Sequence, residues 1–133
     1  MEQITLDDTD IRLLDALQHD ASLSNQDLAA LVHVSPPTCL RRVKRLRDAG
    51  LIERQVAILQ PDRLAALQGH GLACIVEGSL DRQGAEQLEA FETRAVAQDE
   101  VQQCWRVSPG PDFVLVVHTR DTPAYLALSQ RLF

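Results

Sequence analysis

Five basic side chains, Arg41, Arg42, Lys44, Arg45 and Arg47, stand within residues 35–50, SPPTCLRRVKRLRDAG, against a single acid, Asp48. Guanidinium and ammonium groups at this density suit a polyanion. They release counterions from phosphates, and an arginine near a helix N-terminus can bond a guanine edge in bidentate fashion. The stretch carries +4 in a chain of net charge −6, so the other 117 residues sum to −10. An acidic remainder repels DNA from every other surface and steers the basic face toward it, so a pI near 5.1 does not exclude a nucleic-acid partner. An isolated basic run is usually a solvated helix face, and only its surroundings separate the two readings.

Those surroundings are helical. Leu6, Ile11, Leu13, Leu14 and Leu17 recur at helical spacing with Asp7 or Asp8 placed to cap the start, and SNQDLAALV opens with Ser24 and Asp27 three residues apart, an imperfect capping box. A tight connection, VHVS, leads to Ser35 as a cap and to Pro36 and Pro37 in a first turn, where proline's missing N–H is not needed. At about 100° per residue the third helix gathers Cys39, Leu40, Val43 and Leu46 on one side and turns Thr38, Arg41, Arg42 and Arg45 to the other, with Gly50 as a left-handed stop. Helix, turn and a basic third helix describe a helix-turn-helix whose recognition helix enters the major groove. Thr38, Arg41 and Arg42 are placed for bases, Lys44 and Arg45 for phosphates. With the caps and turn, the DNA-facing candidates are Ser24, Asn25, Gln26, Ser35, Pro37, Thr38, Arg41, Arg42, Lys44 and Arg45.

LIERQVAIL, next in the chain, is β-prone and reads as a strand or small wing, and QPDRLAALQGHG adds a proline, one short helical turn and two glycines. The expected organisation is a winged helix-turn-helix domain over residues 1–60, a hinge over 61–71 and a second domain over 72–133. That second half reads as strand (LACIVEGS), amphipathic helix (with Leu88, Phe91 and Ala95 on one face) and two strands, VQQCWRVS and FVLVVHT, around the turn PGPD. A final helix follows, with Thr122 as cap, Pro123 at its first position and Tyr125, Leu126, Leu128 and Leu132 as its apolar set. Trp105 is expected to share a sheet face with Val101, Gln103 and Val107, as core, dimer interface or ligand wall. The order β-α-β-β-α is ferredoxin-like without its closing strand, so the fold class is α+β. Either the second domain is truncated at Phe133 or a partner completes the open edge.

At 45% apolar content the chain can build a core, made mainly of aliphatic residues because aromatics are 4%. No apolar run reaches a membrane span, and the acid-rich residues 1–10 lack the regions of a signal peptide, so a cytoplasmic, nucleoid-associated protein without membrane partners is expected. Cys39, Cys74 and Cys104 are odd in number and widely spaced, which writes neither a disulfide framework nor a zinc site; they are expected as buried thiols. His19, His33, His70 and His118 show no metal-ligand spacing, and neither a nucleophile elbow nor a phosphate-binding glycine loop is present. No catalytic residue, metal or cofactor is therefore expected.

LDDTDIRLLDALQHD, LSNQDLAALVHVSPPTCLRRVKRLRDAGLIER and ILQPDRL together resemble the N-terminal half of the leucine-responsive/asparagine-type (Lrp/AsnC) bacterial transcription regulators. The resemblance covers nearly the whole chain. It implies a ferredoxin-like sensing domain that pairs through its sheet, dimers that assemble into octamers, and a small effector, typically an amino acid, near the loop between the second and third sensing-domain strands. That loop usually carries T/S-G-x-x-D. Here it reads SPGPD, with Ser108 and Asp112 in place, Pro109 where the glycine is expected and Gly110 one position late. Ser108, Gly110, Pro111 and Asp112 are the effector-site candidates, although PGPD is also a plain hairpin turn. Two other functions fit the same scaffold: an enzyme similar to the haem-pathway decarboxylases that resemble this family, and an architectural DNA-binding protein without ligand response. The basic third helix argues against the first, and the altered loop keeps the second open.

Overall fold

Asp7 starts the first helix. Its Oδ1 accepts from the Asp10 N–H at 2.9 Å, while Asp10 Oδ2 accepts from the Asp7 N–H at 3.2 Å, a reciprocal capping box that opens α1, Asp8–His19. The computed structural model describes residues 4–133, so residues 1–3 of the acid-rich N-terminal stretch lie outside the described residues. The chain divides into two units, Met1–Ile58 and Leu59–Phe133.

In the first unit Ser24 caps α2, Asn25–Val32, through the Asp27 N–H at 3.1 Å, without the return bond of a full capping box. His33 closes that helix in the left-handed region, at φ 62. Ser35 caps α3, Pro36–Asp48, by accepting from the Thr38 N–H at 3.3 Å, and the two prolines occupy its first turn. At the other end Gly50, at φ 79, lets its N–H reach the Arg47 carbonyl and the Leu51 N–H reach the Leu46 carbonyl, a Schellman stop. Leu13, Leu28, Ala29, Val32, Cys39 and Leu46 form the core between the three helices.

Two expectations fail here. Leu40 is 63% exposed, because it lies about 100° from Cys39 around α3, beyond the edge of the buried stripe. Residues 51–60 form no strand, so no wing is built. β-prone residues without a neighbouring strand leave their N–H and C=O groups to solvent, and this segment is exposed except at Ile52.

The second unit opens with α4, Pro61–Gln68, two turns rather than one, ended by Gly69 at φ 76. Strands β1, Leu72–Gly78, β2, Val101–Arg106, and β3, Phe113–Thr119, form an antiparallel sheet in the order β1-β3-β2. Helices α5, Ala85–Val96, and α6, Thr122–Leu132, contribute Phe91, Ala95, Leu128 and Leu132 to a core with Phe113, Leu115 and Val117 of β3. Asp121, rather than Thr122, caps α6: its carboxylate accepts from the Ala124 N–H at 2.9 Å.

A register shift between Val101 and Gln103 breaks the alternation expected of β2. Val101 pairs with Val117 and packs against the core, whereas Gln103 and Trp105 fall on the opposite face beside Val116 and Val114. Trp105 is therefore 59% exposed rather than core, and its indole N–H donates to Gln103 Oε1 at 3.0 Å. Cys39 is buried, and Cys74 and Cys104 are partly buried; all three are free thiols.

Candidate nucleic-acid interface

Helix α3 presents two kinds of basic residue. Arg41 and Arg47 are exposed, with no hydrogen bond or ion pair among the described residues. Lys44 meets Asp48 one turn on, at 2.7 Å, in an exposed pair that solvent screens. Thr38, half-buried, accepts from the Ser35 hydroxyl at 2.9 Å, and exposed Pro37 precedes it.

Arg42 and Arg45, expected to face DNA, turn toward α1 instead. Arg42 Nη1 donates to Asp7 Oδ2 at 2.7 Å and to Asp10 Oδ1 at 3.0 Å, and its side chain retains 25% exposure. Arg45 Nη1 donates to Asp10 Oδ2 at 3.3 Å, and its Nη2 to the Thr5 carbonyl at 3.0 Å. The reason is helical geometry: Arg42 stands three residues after Cys39 and four before Leu46, the two buried residues of α3, so it flanks the core. A guanidinium in that position requires a counter-charge.

Asp10, at 1% exposure, supplies that charge, and sequence reasoning missed it. The signal was present, since Asp10 precedes Leu13, Leu14 and Leu17 at helical spacing and so belongs to the apolar stripe of α1. The bonds from the Asp10 N–H and then from Arg42 hold the Asp7 carboxyl below the usual aspartate range, and the same carboxylates raise the Arg42 pKa.

At the start of α2, Asn25 donates its amide to the Pro36 carbonyl at 2.8 Å, fixing α2 against the first turn of α3. Ser24 is occupied as a cap, although its hydroxyl proton stays available, and Gln26 is exposed. Of the ten expected residues, Gln26, Pro37, Thr38, Arg41 and Lys44 keep outward groups. Ser24, Asn25 and Ser35 hold helix ends, and Arg42 and Arg45 join α3 to α1.

In the second unit the SPGPD loop is tied to its surroundings through Asp112. The Asp112 N–H donates to the Gly78 carbonyl at 2.9 Å, and its Oδ2 accepts from the Leu80 N–H at 2.7 Å and from Gln83 Nε2 at 3.3 Å. Ser108 is exposed and Pro111 half-buried, while Gly110 adopts φ 110 with open space where a Cβ would stand. Glycine is thus required by backbone conformation rather than by a close neighbour. At the opposite end of the sheet a cavity of about 640 Å³ opens between α4, the start of β1 and the end of β3, lined by Leu64, Ala65, His70 and His118 among others. Among the described residues no cluster of metal-ligating side chains is found, and no helix is long and apolar enough to cross a membrane.

Residues 6–47 match the AsnC-type helix-turn-helix domain and residues 73–133 the Lrp/AsnC ligand binding domain. The chain is 34% identical to an HTH-type transcriptional regulator of Haemophilus influenzae, over 96% of this chain and 74% of that protein. It is 37% identical to the leucine-responsive regulatory protein of Escherichia coli K12, over 92% of this chain and 73% of the relative. Among solved structures, a transcriptional regulator of Neisseria meningitidis in complex with L-Met superposes with a TM-score of 0.68 at 32% identity, covering 94% of this chain and 78% of that one. The chain belongs to the Lrp/AsnC family of transcription regulators, with a DNA-binding helix-turn-helix domain followed by a ligand-binding domain.

Proposed function

We propose that the protein binds a pseudo-palindromic operator as a dimer or larger oligomer, that a small amino-acid effector changes this binding, and that it catalyses no reaction. The observation that carries the reading is the exposed edge of α3, where Thr38 and Arg41 stand beside a first turn pinned by Ser35 and Asn25. Gln26, Pro37, Thr38 and Arg41 contact the DNA, Lys44 exchanges Asp48 for a phosphate, and the Ser24 hydroxyl reaches the backbone from its cap, as does that of Ser35 once it exchanges Thr38 for a phosphate. Dimeric half-sites then lie about 34 Å apart or at multiples of that spacing.

The face of the sheet away from α5 and α6 supports self-association. It carries Ile75 and Trp105, both exposed, with half-buried Val114 and Val116 between them. An apolar strip of this kind is the expected site for a second copy. For the effector, the Met complex of the neisserial relative and the SPGPD loop support an amino acid held near Ser108, Gly110, Pro111 and Asp112. The effector alters operator affinity only in so far as it binds the DNA-competent arrangement better or worse than the alternative.

Selecting bound duplexes from random DNA, with and without a panel of amino acids, tests the whole reading. Paired half-sites and a shift with at least one amino acid are expected. Asp112 already spends one oxygen on Leu80 and Gln83, which favours a second reading, a ligand-independent architectural protein; isotherms unmoved by every amino acid would establish it. Decarboxylation of a tetrapyrrole would overturn the non-enzymatic assignment.

A further inference from the structure

We propose that Asp10 and Arg42 are positioning residues of the DNA-binding surface: their buried contact fixes α3 against α1 so that Thr38 and Arg41 meet the groove, and Arg42 itself touches no DNA. Asp10 lies inside the helical core, and each of its carboxylate oxygens receives an arginine of α3, Oδ1 from Arg42 and Oδ2 from Arg45. Asp7 completes the set as the cap of α1 and a second acceptor for Arg42.

The cluster thus ties the first turn of one helix to the middle of another through directional bonds. The apolar core that Leu13 and Leu46 share resists separation of two helices but defines their mutual slide and rotation only loosely, because burial is non-directional. Arg42 Nε is buried without a hydrogen-bond partner among the described residues, so the side chain sits deep enough to lose solvation at that atom. A swing toward DNA would break its bonds to both carboxylates and leave Asp10 with a buried charge facing Arg45 alone. Two of the five basic residues of α3 are therefore withdrawn from phosphate binding, and Arg41 and Arg47 remain as its unpaired cations among the described residues.

The proposal rests on α3 being the DNA-facing helix. The test uses the full chain and a duplex recovered on the wild type from random DNA, and reads both the affinity and the slope of log affinity against log salt. Arg42→Gln and Asp10→Asn should each weaken binding at least about five-fold and leave the slope at its wild-type value. Arg42→Lys, which keeps one charge near Asp10, should regain part of the affinity. A direct phosphate contact predicts otherwise: Arg42→Gln would reduce the slope by about 0.9 for each bound protomer, and Asp10→Asn would tighten binding by releasing the guanidinium. Either result overturns the proposal. If a single variant fails to fold by circular dichroism, the double variant Asp10→Asn/Arg42→Gln, which removes both charges together, should show the wild-type slope; a slope lower by about 0.9 for each bound protomer would refute the positioning role. Arg41→Ala serves as the control for the underlying reading. It should lower affinity and slope together, and if it changes neither, the assignment of α3 to DNA fails independently of the Asp10 contact.

Discussion

The interior of the first unit holds a carboxylate, Asp10, beside Leu13, Cys39 and Leu46, whereas the second unit packs Phe91, Phe113, Leu115, Val117 and Leu128 around no buried charge among its described residues. Thr119 is the buried polar side chain there, and its hydroxyl donates to the Asp121 carbonyl at 3.1 Å. The contrast follows from what else orders each unit. A sheet has directional bonds of its own, since the main-chain ladder joins the strands where Ile75 pairs with Val116 and Cys104 with Leu115. Three short helices have no such ladder between them, so the Asp10 cluster and the Asn25 bond to Pro36 supply the direction that apolar packing lacks.

The largest expected effect probes the apolar interior. Phe113→Ala removes a fully buried ring that stacks at 4.6 Å on Phe91, and should cost about 3–5 kcal/mol. Trp105 is the single tryptophan and lies in the same unit, so its fluorescence in a denaturant titration reports that loss. An unmoved transition would show that the ring is not part of the second core.

Asp112→Ala takes the acceptor from the Leu80 N–H and should cost about 1.5–3 kcal/mol by the same readout. A variant of wild-type stability with lost amino-acid response would instead place Asp112 in the effector site alone.

Acid separates the units next. The folded-state pKa of Asp7 is lowered, so its contribution is present above the usual aspartate value of 3.8 and is lost as pH falls below that value through the folded one. Far-UV circular dichroism of Asp7→Asn should show a first unit less stable than the wild type at neutral pH, with the difference shrinking below pH 3.8. A difference that persists unchanged in acid would remove Asp7 from the cluster. Smallest of all, Lys44→Ala should alter thermal stability by less than about 0.5 kcal/mol, as befits an exposed i,i+4 pair, while still weakening DNA binding.

Much of this arrangement was legible in the residues. Ser24, Ser35 and Gly50 announced their helix ends, the two prolines their first turn, and the apolar run FVLVVHT its strand. The basic run disclosed a polyanion partner but not which of its arginines face outward. That division depends on Asp10, whose charge hid its place in an apolar stripe until α1 and α3 were seen together. The slip at Val101 had no local mark, because a bulge arises from pairing with β3 and not from the sequence of β2, and of the readings core, dimer interface and ligand wall it removes the first for Trp105 by placing it on the open face. Residues 51–60 show the converse, a β-prone segment without a strand to pair with.

The central claim is that the outward edge of α3, led by Arg41, binds DNA. A salt titration of wild-type binding to a selected duplex tests it most directly, alongside Arg41→Ala. The account predicts log affinity falling linearly with log salt, and in Arg41→Ala a lower affinity with a slope shallower by about 0.9 for each bound protomer. A flat line for the wild type would contradict it.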